Sequence, residues 1–382
     1  MTTLQSVISE LTGFWHEQGC AVLPPCSFEV PLGLLHPEAF FRLLDPEPWQ
    51  AAFLQPISRP ADARGGEHPY RVARHLQFQV VWKGLDARQP RDLMLESLAR
   101  VGFDLEQHDL RFVDERLNVE AAEIRGRGWR VLLDGLRLAR ISFLDRIASE
   151  APVESSVEIS YGVELLAMAR GETADIFSVP WRWSAEETAS SQNAADLAQP
   201  SRAKRRESEQ ELHAYALDVA SVSYLRQAID GLDREASRCV EAGLPRVAYE
   251  QAMRMLPLLD LLETRGDLSF QERAHWLGEV RARVLEAAAA YRTAVPTPSP
   301  ESTASLSPAL PSSAAKATET PESGPQSTHA SGTDATPTEP SPAELQDDAS
   351  PVAPAEEESP KASDRKRRRR KKRASKDADG GT

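Results

Sequence analysis

Apolar residues fall at helical spacing from the start of the chain. Val7, Leu11, Phe14 and Trp15 share one face of Leu4 to Gln18, which predicts an amphipathic opening helix. The period then changes. Ala51 to Gln55 and Leu76 to Lys83 read as strands, and the second (LQFQVVWK) partly alternates apolar and polar residues. Trp129 to Leu133, Leu136 to Phe143 and Val157 to Tyr161 read as further strands, with Asp134-Gly135 as a hairpin-length turn. Strands joined this way predict an α+β fold: an antiparallel sheet flanked by helices. Helical spacing returns from Leu212 to about Arg292. Ser269 and Glu272 form a capping box, Leu277, Val280 and Val284 continue one apolar face, and Pro257 is expected to kink or end its helix.

These shifts divide the chain into a mixed domain (1–183), a polar linker (184–211) with a basic knot at Lys204, Arg205 and Arg206, a helical domain (212–294) and a tail (295–382). The tail is Pro, Ser, Thr, Ala and Glu with few large apolar residues. It cannot bury enough surface to offset its ordering entropy, so disorder is expected. Near its end runs RKRRRRKKR, Arg365 to Arg373.

Composition narrows the function classes. The 382 residues are 41% hydrophobic, enough for a sizeable core. A formal charge of −13 argues against a globally basic nucleic-acid binder, though not against a local patch. No long apolar run or basic leader is visible, so no membrane partner and a cytoplasmic setting are expected. Cys20, Cys26 and Cys239 are too few and too irregularly spaced for a disulfide framework or a zinc site. Buried or half-buried thiols are the expectation. No phosphate-binding glycine loop, zinc-protease or serine-hydrolase pattern occurs.

What does occur is an ordered set of short blocks: FWHEQGC (Phe14 to Cys20), His36-Pro37, DPEPWQAAFLQP (Asp45 to Pro56), SRPADARGGEHPYRVARHLQFQVV (Ser58 to Val81), HDLRFVDE (His108 to Glu115), GRGWRVLLDG (Gly126 to Gly135), EISYGVELLAM (Glu158 to Met168), LPRVAYEQAM (Leu244 to Met253), LLDLLETRGDLSFQERAHWLGEVR (Leu258 to Arg281) and AYRTA (Ala290 to Ala294). In this order, from residue 5 to about 294, the chain resembles the α subunit of bacterial two-subunit glycyl-tRNA synthetase, a class II aminoacyl-tRNA synthetase. The resemblance implies an antiparallel catalytic sheet followed by a helical domain. It implies activation of glycine with ATP as substrate, magnesium ions as helpers and transfer to tRNA(Gly). It also implies a β-like subunit and a homodimer of the α-like part.

The resemblance carries residue roles. Arg59 matches a phosphate- and carboxylate-binding arginine, Arg74 and Phe78 fit a later R-x-x-x-F element for the ATP tail and adenine, and Arg64, Glu67 and Arg71 fit the loop between. The alternative for these arginines is solvated loop charge. Gln77 and Gln79 lie two apart on a strand and so face one side. They could orient glycine, or form a solvent-facing polar edge. Glu158 and Ser160, equally spaced, resemble the amino-acid pocket, where an acid would pair with the ammonium. Metal ligands are not identifiable. The clustered Arg365, Arg367, Arg368, Arg369 and Arg370 could hold an RNA backbone by counterion release, or be a solvated tail.

Departures from the family are as informative. The Gly162, Glu164, Leu165 remnant of motif 3 has leucine where the family has a triphosphate-binding arginine. Ser58 replaces a second arginine, and Arg137 and Arg140 stand where the family has Glu and Gln. A guanidinium there removes a possible magnesium ligand and reverses the local charge. Two functions follow: a glycine–tRNA ligase α subunit, or a catalytically silent paralogue that binds tRNA, a nucleotide or a partner.

Overall fold

The computed structural model describes residues 2–84, 90–152, 155–180 and 202–294. The opening helix forms at Leu4–Glu17 (α1), its first turn closed by reciprocal bonds between Thr3 and Ser6. A short strand, Ala21–Val22 (β1), follows, then Pro37–Leu44 (α2), capped by the His36 side chain with Pro37 in the first turn. His36 Nδ1 accepts the Glu38 N–H at 3.1 Å while Nε2–H donates to Pro24 O at 3.1 Å, a pattern that needs the neutral ring. Burial pushes its pKa down accordingly.

Seven strands form one sheet. After β1 come Trp49–Ser58 (β2), Arg74–Lys83 (β3), Leu110–Val119 (β4), Ile124–Leu133 (β5), Leu136–Arg146 (β6) and Ser156–Gly162 (β7), in the order β1-β2-β3-β7-β6-β5-β4. The sheet is antiparallel as expected, except that β1 runs parallel to β2. Pro90–Val101 (α3) and Val163–Arg170 (α4) complete the first half.

Strand alternation gives the sheet two different faces. Phe78, Val80, Ile159, Tyr161, Ile141 and Val131 pack with Leu4, Leu11, Trp15, Met94 and Leu166 from α1, α3 and α4. Phe53, Ile57 and Val81 point the other way, into a core shared with α2 and the C-terminal helices.

Those helices are Arg202–Ala214 (α5), Val222–Glu241 (α6), Pro245–Arg265 (α7) and Phe270–Ala294 (α8), so eight helices lie among the described residues. Residues 202–211, expected within a linker, are helical: Arg205, Arg206 and Glu209 bond to the sheet half through Ile176 O, Gly66 O and the Ala73 N–H. Residues 184–201, the tail 295–382 and its basic run lie outside the described residues. Pro257 does not end its helix. It sits inside α7, where Met253, Leu256, Leu259 and Leu262 are buried around it, and packing outweighs the lost N–H. The capping box of α8 forms as expected, with Ser269 N–H on Glu272 at 2.9 Å and Glu272 N–H on Ser269 Oγ at 3.2 Å.

The helical half is joined to the sheet half through aromatic contacts. Tyr249 stacks on Phe40 at 4.3 Å and its hydroxyl donates to Leu35 O at 3.0 Å. The Tyr291 hydroxyl donates to Asp45 at 2.9 Å, and Arg246 lies over both Phe41 and Tyr291. Because the core is common, the two halves should unfold together. Phe40→Ala should cost about 3–5 kcal/mol through the cavity it leaves. Denaturant titration followed by far-ultraviolet dichroism and by tryptophan fluorescence should give coincident curves; separate transitions would show independent halves.

Candidate functional site

Gln55, Gln77 and Gln79 are out of phase with Phe78 and so lie on the face opposite the α1 core. Ladder register extends this face across the sheet: Gln79 pairs with Ser160, Ser160 with Arg140, and Arg140 with Arg130. The result is a polar row on β3, β7, β6 and β5, roofed on the β3 side by the segment around Gly33.

Glu158 is its centre. The side chain is completely buried, and its carboxylate accepts from Gln79 Nε2 at 2.8 Å and from Arg140 Nη2 and Nε at 2.7 and 3.2 Å. The arginine contact is the bidentate kind, the strongest side-chain pairing available to a buried carboxylate. Gln77 Oε1 accepts the Gly33 N–H at 3.1 Å. A Cβ on Gly33 would lie 2.6 Å from Gln79 Oε1, so this close approach needs glycine. Gln79 Oε1 itself accepts no hydrogen bond from the described residues although buried, which leaves an open acceptor beside Gly33.

Arg59 follows β2 at the cleft's end. Its backbone N–H donates to Ala73 O at 2.7 Å and its Nε to Pro31 O at 2.8 Å, which fixes the fork. Burial lowers its pKa, Asp62 and Asp260 oppose that, and the charges of Arg140 and Arg137 add to it. Arg137 and Arg140 are therefore its electrostatic neighbours. Arg137 Nη2 meets Glu115 at 2.8 Å, and Arg130 approaches the same carboxylate at 3.9 Å.

Arg59, Gln77, Gln79, Glu158, Ser160, Arg137 and Arg140 thus belong to one face. Other expected members do not. Phe78 is 1% exposed in the α1 core, edge-on to Tyr161, because the two-residue period turns it away from Gln77 and Gln79. Arg74 starts its strand exposed, paired with Glu29 at 2.7 Å. Arg64 folds onto its own loop through Ala61 O and Ala63 O, both at 2.8 Å. With Glu67 it lines a separate cavity of about 510 Å³ against Gln210 and His213 of α5, and Arg71 is exposed. Ser58 is buried with its N–H on Val30 O. Leu165 packs on the apolar cluster beneath Gly162, to which its Cδ1 comes close. The acidic and cationic residues of the tail lie outside the described residues.

The residue that sequence reasoning passed over is His75. It is in phase with Gln77 and Gln79 and close enough to Arg59 to feel its charge; burial and that charge push its pKa down to about 3. The same alternation that identified the two glutamines would have found it. Cys20, by contrast, is a buried thiol as expected, its pKa pushed up to about 12 by burial alone.

Two further glutamates complete β3 where its neighbour runs out. Strand β7 ends at Gly162, opposite Gln77, so Leu76 N–H has no ladder partner. Glu164 takes it at 2.9 and 3.0 Å. Glu209 of α5 takes Ala73 N–H at 2.6 Å. Both carboxyls line one cavity of about 410 Å³ with Arg205 and His75, and burial raises each to about 7.

The cleft is that of an α+β protein whose sheet gathers buried amides, two carboxylates and several guanidiniums on one face. The sequence model described as glycyl-tRNA synthetase alpha subunit matches residues 4–295. The chain is 32% identical over 280 residues to the glycine–tRNA ligase alpha subunit of Coprothermobacter proteolyticus, covering 73% of this chain and 91% of that one. It is 33% identical over 286 residues to the chloroplastic/mitochondrial glycine–tRNA ligase 2 of Arabidopsis thaliana, covering 75% of this chain but spanning only 25% of that longer protein. This chain therefore belongs to the glycyl-tRNA synthetase alpha subunit family. Among solved structures, a pyrrolysyl-tRNA synthetase from Desulfitobacterium hafniense aligns with 48% of this chain and 74% of its own at 14% identity and a TM-score of 0.36, a likeness too slight to build on. No helix among the described residues is long and apolar enough to cross a membrane.

The two raised carboxyls give a pH dependence. Their folded pKa values lie above the ordinary 4.5, so the folded state binds more protons between about 4.5 and 7. Stability they contribute is full below that window and is lost as pH rises through it. Hydrogen exchange at Ala73 should accelerate, beyond the intrinsic base-catalysed trend, as pH passes 7. Glu209→Gln keeps an acceptor and should flatten that extra slope; an unchanged slope would show that Glu209 does not titrate there.

Proposed function

We propose that this chain is an α-type subunit of the glycyl-tRNA synthetase family that binds a nucleotide in the Arg59–Glu158 cleft but activates glycine weakly or not at all on its own. Its partners would be tRNA(Gly), a β-like subunit and a second copy of the α-like part, in the cytoplasm. The observation that carries this reading is the Arg140–Glu158 pair. The carboxylate suited to a substrate ammonium is already held by a guanidinium and by Gln79. An incoming ammonium must compete with a bidentate, buried partner.

The remaining chemistry points the same way. Activation of glycine requires its carboxylate to attack the α-phosphate of ATP while charge builds on the phosphates. Fixed cations must meet that charge. Leu165 donates nothing, and loss of one such donor costs on the order of a hundred- to a thousand-fold in rate. The cleft also fits magnesium poorly. Its two carboxylates, Glu115 and Glu158, are taken by Arg137 and Arg140. Among the described residues no group of three metal-ligating side chains forms.

A fully active ligase is the second reading, favoured by the match along 91% of the Coprothermobacter subunit. Glycine-dependent ATP–pyrophosphate exchange separates the two. The wild-type chain should show little or none, and Arg137→Glu combined with Leu165→Arg should gain exchange. Robust wild-type exchange that collapses in Arg137→Ala would instead establish an active enzyme with relocated arginines.

A further inference from the structure

Three guanidiniums meet at the end of the cleft, and their donors are unevenly used. Arg140 spends its Nε and Nη2 on Glu158. Among the described residues Arg137 has one ion pair, from Nη2 to Glu115, and its side chain is 47% exposed. Arg59 is more deeply set, yet only its Nε is engaged, on Pro31 O. The two terminal nitrogens of Arg59 make no hydrogen bond or ion pair with the described residues. A guanidinium has five N–H donors in a fixed fork, so Arg59 and Arg137 both keep donors for a ligand.

The electrostatics favour an anion at this end of the cleft. Arg59 is partly desolvated and lies beside Arg137 and Arg140; Arg137 in turn lies beside Arg140 and Arg130. Like charges held together in a partly desolvated cleft repel, and an anion between them relieves this. Asp62 and Asp260 are within electrostatic range of Arg59. Asp260 is turned to the Ala61 N–H, 3.3 Å away, and neither aspartate forms an ion pair with Arg59. The carboxylates on the far side are already matched, Glu158 by Arg140 and Glu115 by Arg137 and Arg130.

We propose that Arg59 and Arg137 form a metal-independent anion site for the phosphates of a nucleotide, supplying from β2 and β6 the cation that α4 lacks at Leu165. This rests on the reading that the cleft takes a nucleotide. Arg59, fixed through Nε, presents its Nη pair to one phosphate. Arg137, on the exposed rim, closes on the next with the donors it does not give to Glu115. Guanidinium is always charged and binds phosphate oxygens in pairs, so it meets the same demand for positive charge as a divalent ion. The substitution that removed a possible metal ligand is, on this account, also the one that made the metal dispensable for binding.

The test is calorimetric titration of the full chain with pyrophosphate and, separately, with ATP, each with magnesium and with a chelator. Pyrophosphate should bind in both conditions with affinities within about threefold. Arg137→Ala should weaken it by at least about tenfold, and Arg137→Lys should recover part of the loss. The basic tail is present in every variant, so the difference between variants isolates the cleft. Circular dichroism of Arg137→Ala should match wild type, since that side chain is half exposed. Binding that requires magnesium, is indifferent to Arg137→Ala, or is absent altogether overturns the proposal. ATP that binds with magnesium alone and ignores Arg137 would sink this site and leave the nucleotide reading intact. Arg137-dependent pyrophosphate binding without ATP binding would keep the anion site and sink the nucleotide reading.

Discussion

Burying the Glu158 carboxylate in the middle of the sheet imposes the constraint around which the cleft is arranged. An isolated buried carboxylate is far too costly to keep charged, so it must be paired and hydrogen-bonded. Arg140 provides the charge from β6 and Gln79 provides an amide from β3. The three residues tie together adjacent strands β3, β7 and β6. Removing the arginine alone would leave an uncompensated charge, a loss on the order of 3–5 kcal/mol for such pairs. With Gln79 Nε2 committed to Glu158, its Oε1 is left open next to Gly33, and the Gly33 N–H is fixed by Gln77. The geometry of the pocket wall follows from satisfying one carboxylate.

The surroundings of the cleft obey the same accounting of polar groups. Where β7 stops, Glu164 and Glu209 take the backbone N–H groups that the ladder no longer reaches. The second of these comes from α5, which is thereby docked on the loop between β2 and β3; Arg206 adds a bond to Gly66 O at 2.6 Å. The C-terminal helices roof the cleft side of the sheet through Phe40, Phe41, Tyr249 and Tyr291. The cleft side of the sheet and the helical half are therefore joined through one core.

Much of this was legible in the sequence where the signal was local. The two-residue period of LQFQVVWK put Gln77 and Gln79 on one face, and the capping box at Ser269 and Glu272 marked the start of α8. The order of the blocks pointed to the family. The same period, applied strictly, would have turned Phe78 into the core and brought His75 into the cleft; the motif match overrode it. Other features depend on distant partners. Residues 202–211 are polar enough to read as a linker, and their helix is explained by Ala73 and Gly66, well over a hundred positions away in the chain. Pro257 is tolerated because buried neighbours hold α7 together through it. That Arg140 pairs with Glu158 depends on the register of β6 with β7, which composition does not encode.

If Arg140 holds the carboxylate that glycine needs, freeing that carboxylate should create a glycine site. The direct measurement is equilibrium binding of radiolabelled glycine to wild type and to Arg140→Gln, with each variant's fold checked at the same temperature. The account predicts no saturable binding by the wild type in the millimolar range and saturable binding by Arg140→Gln, whose Glu158 and Gln79 Oε1 are then both open to an ammonium. Saturable glycine binding by the wild type that is lost in a folded Arg140→Gln would contradict it.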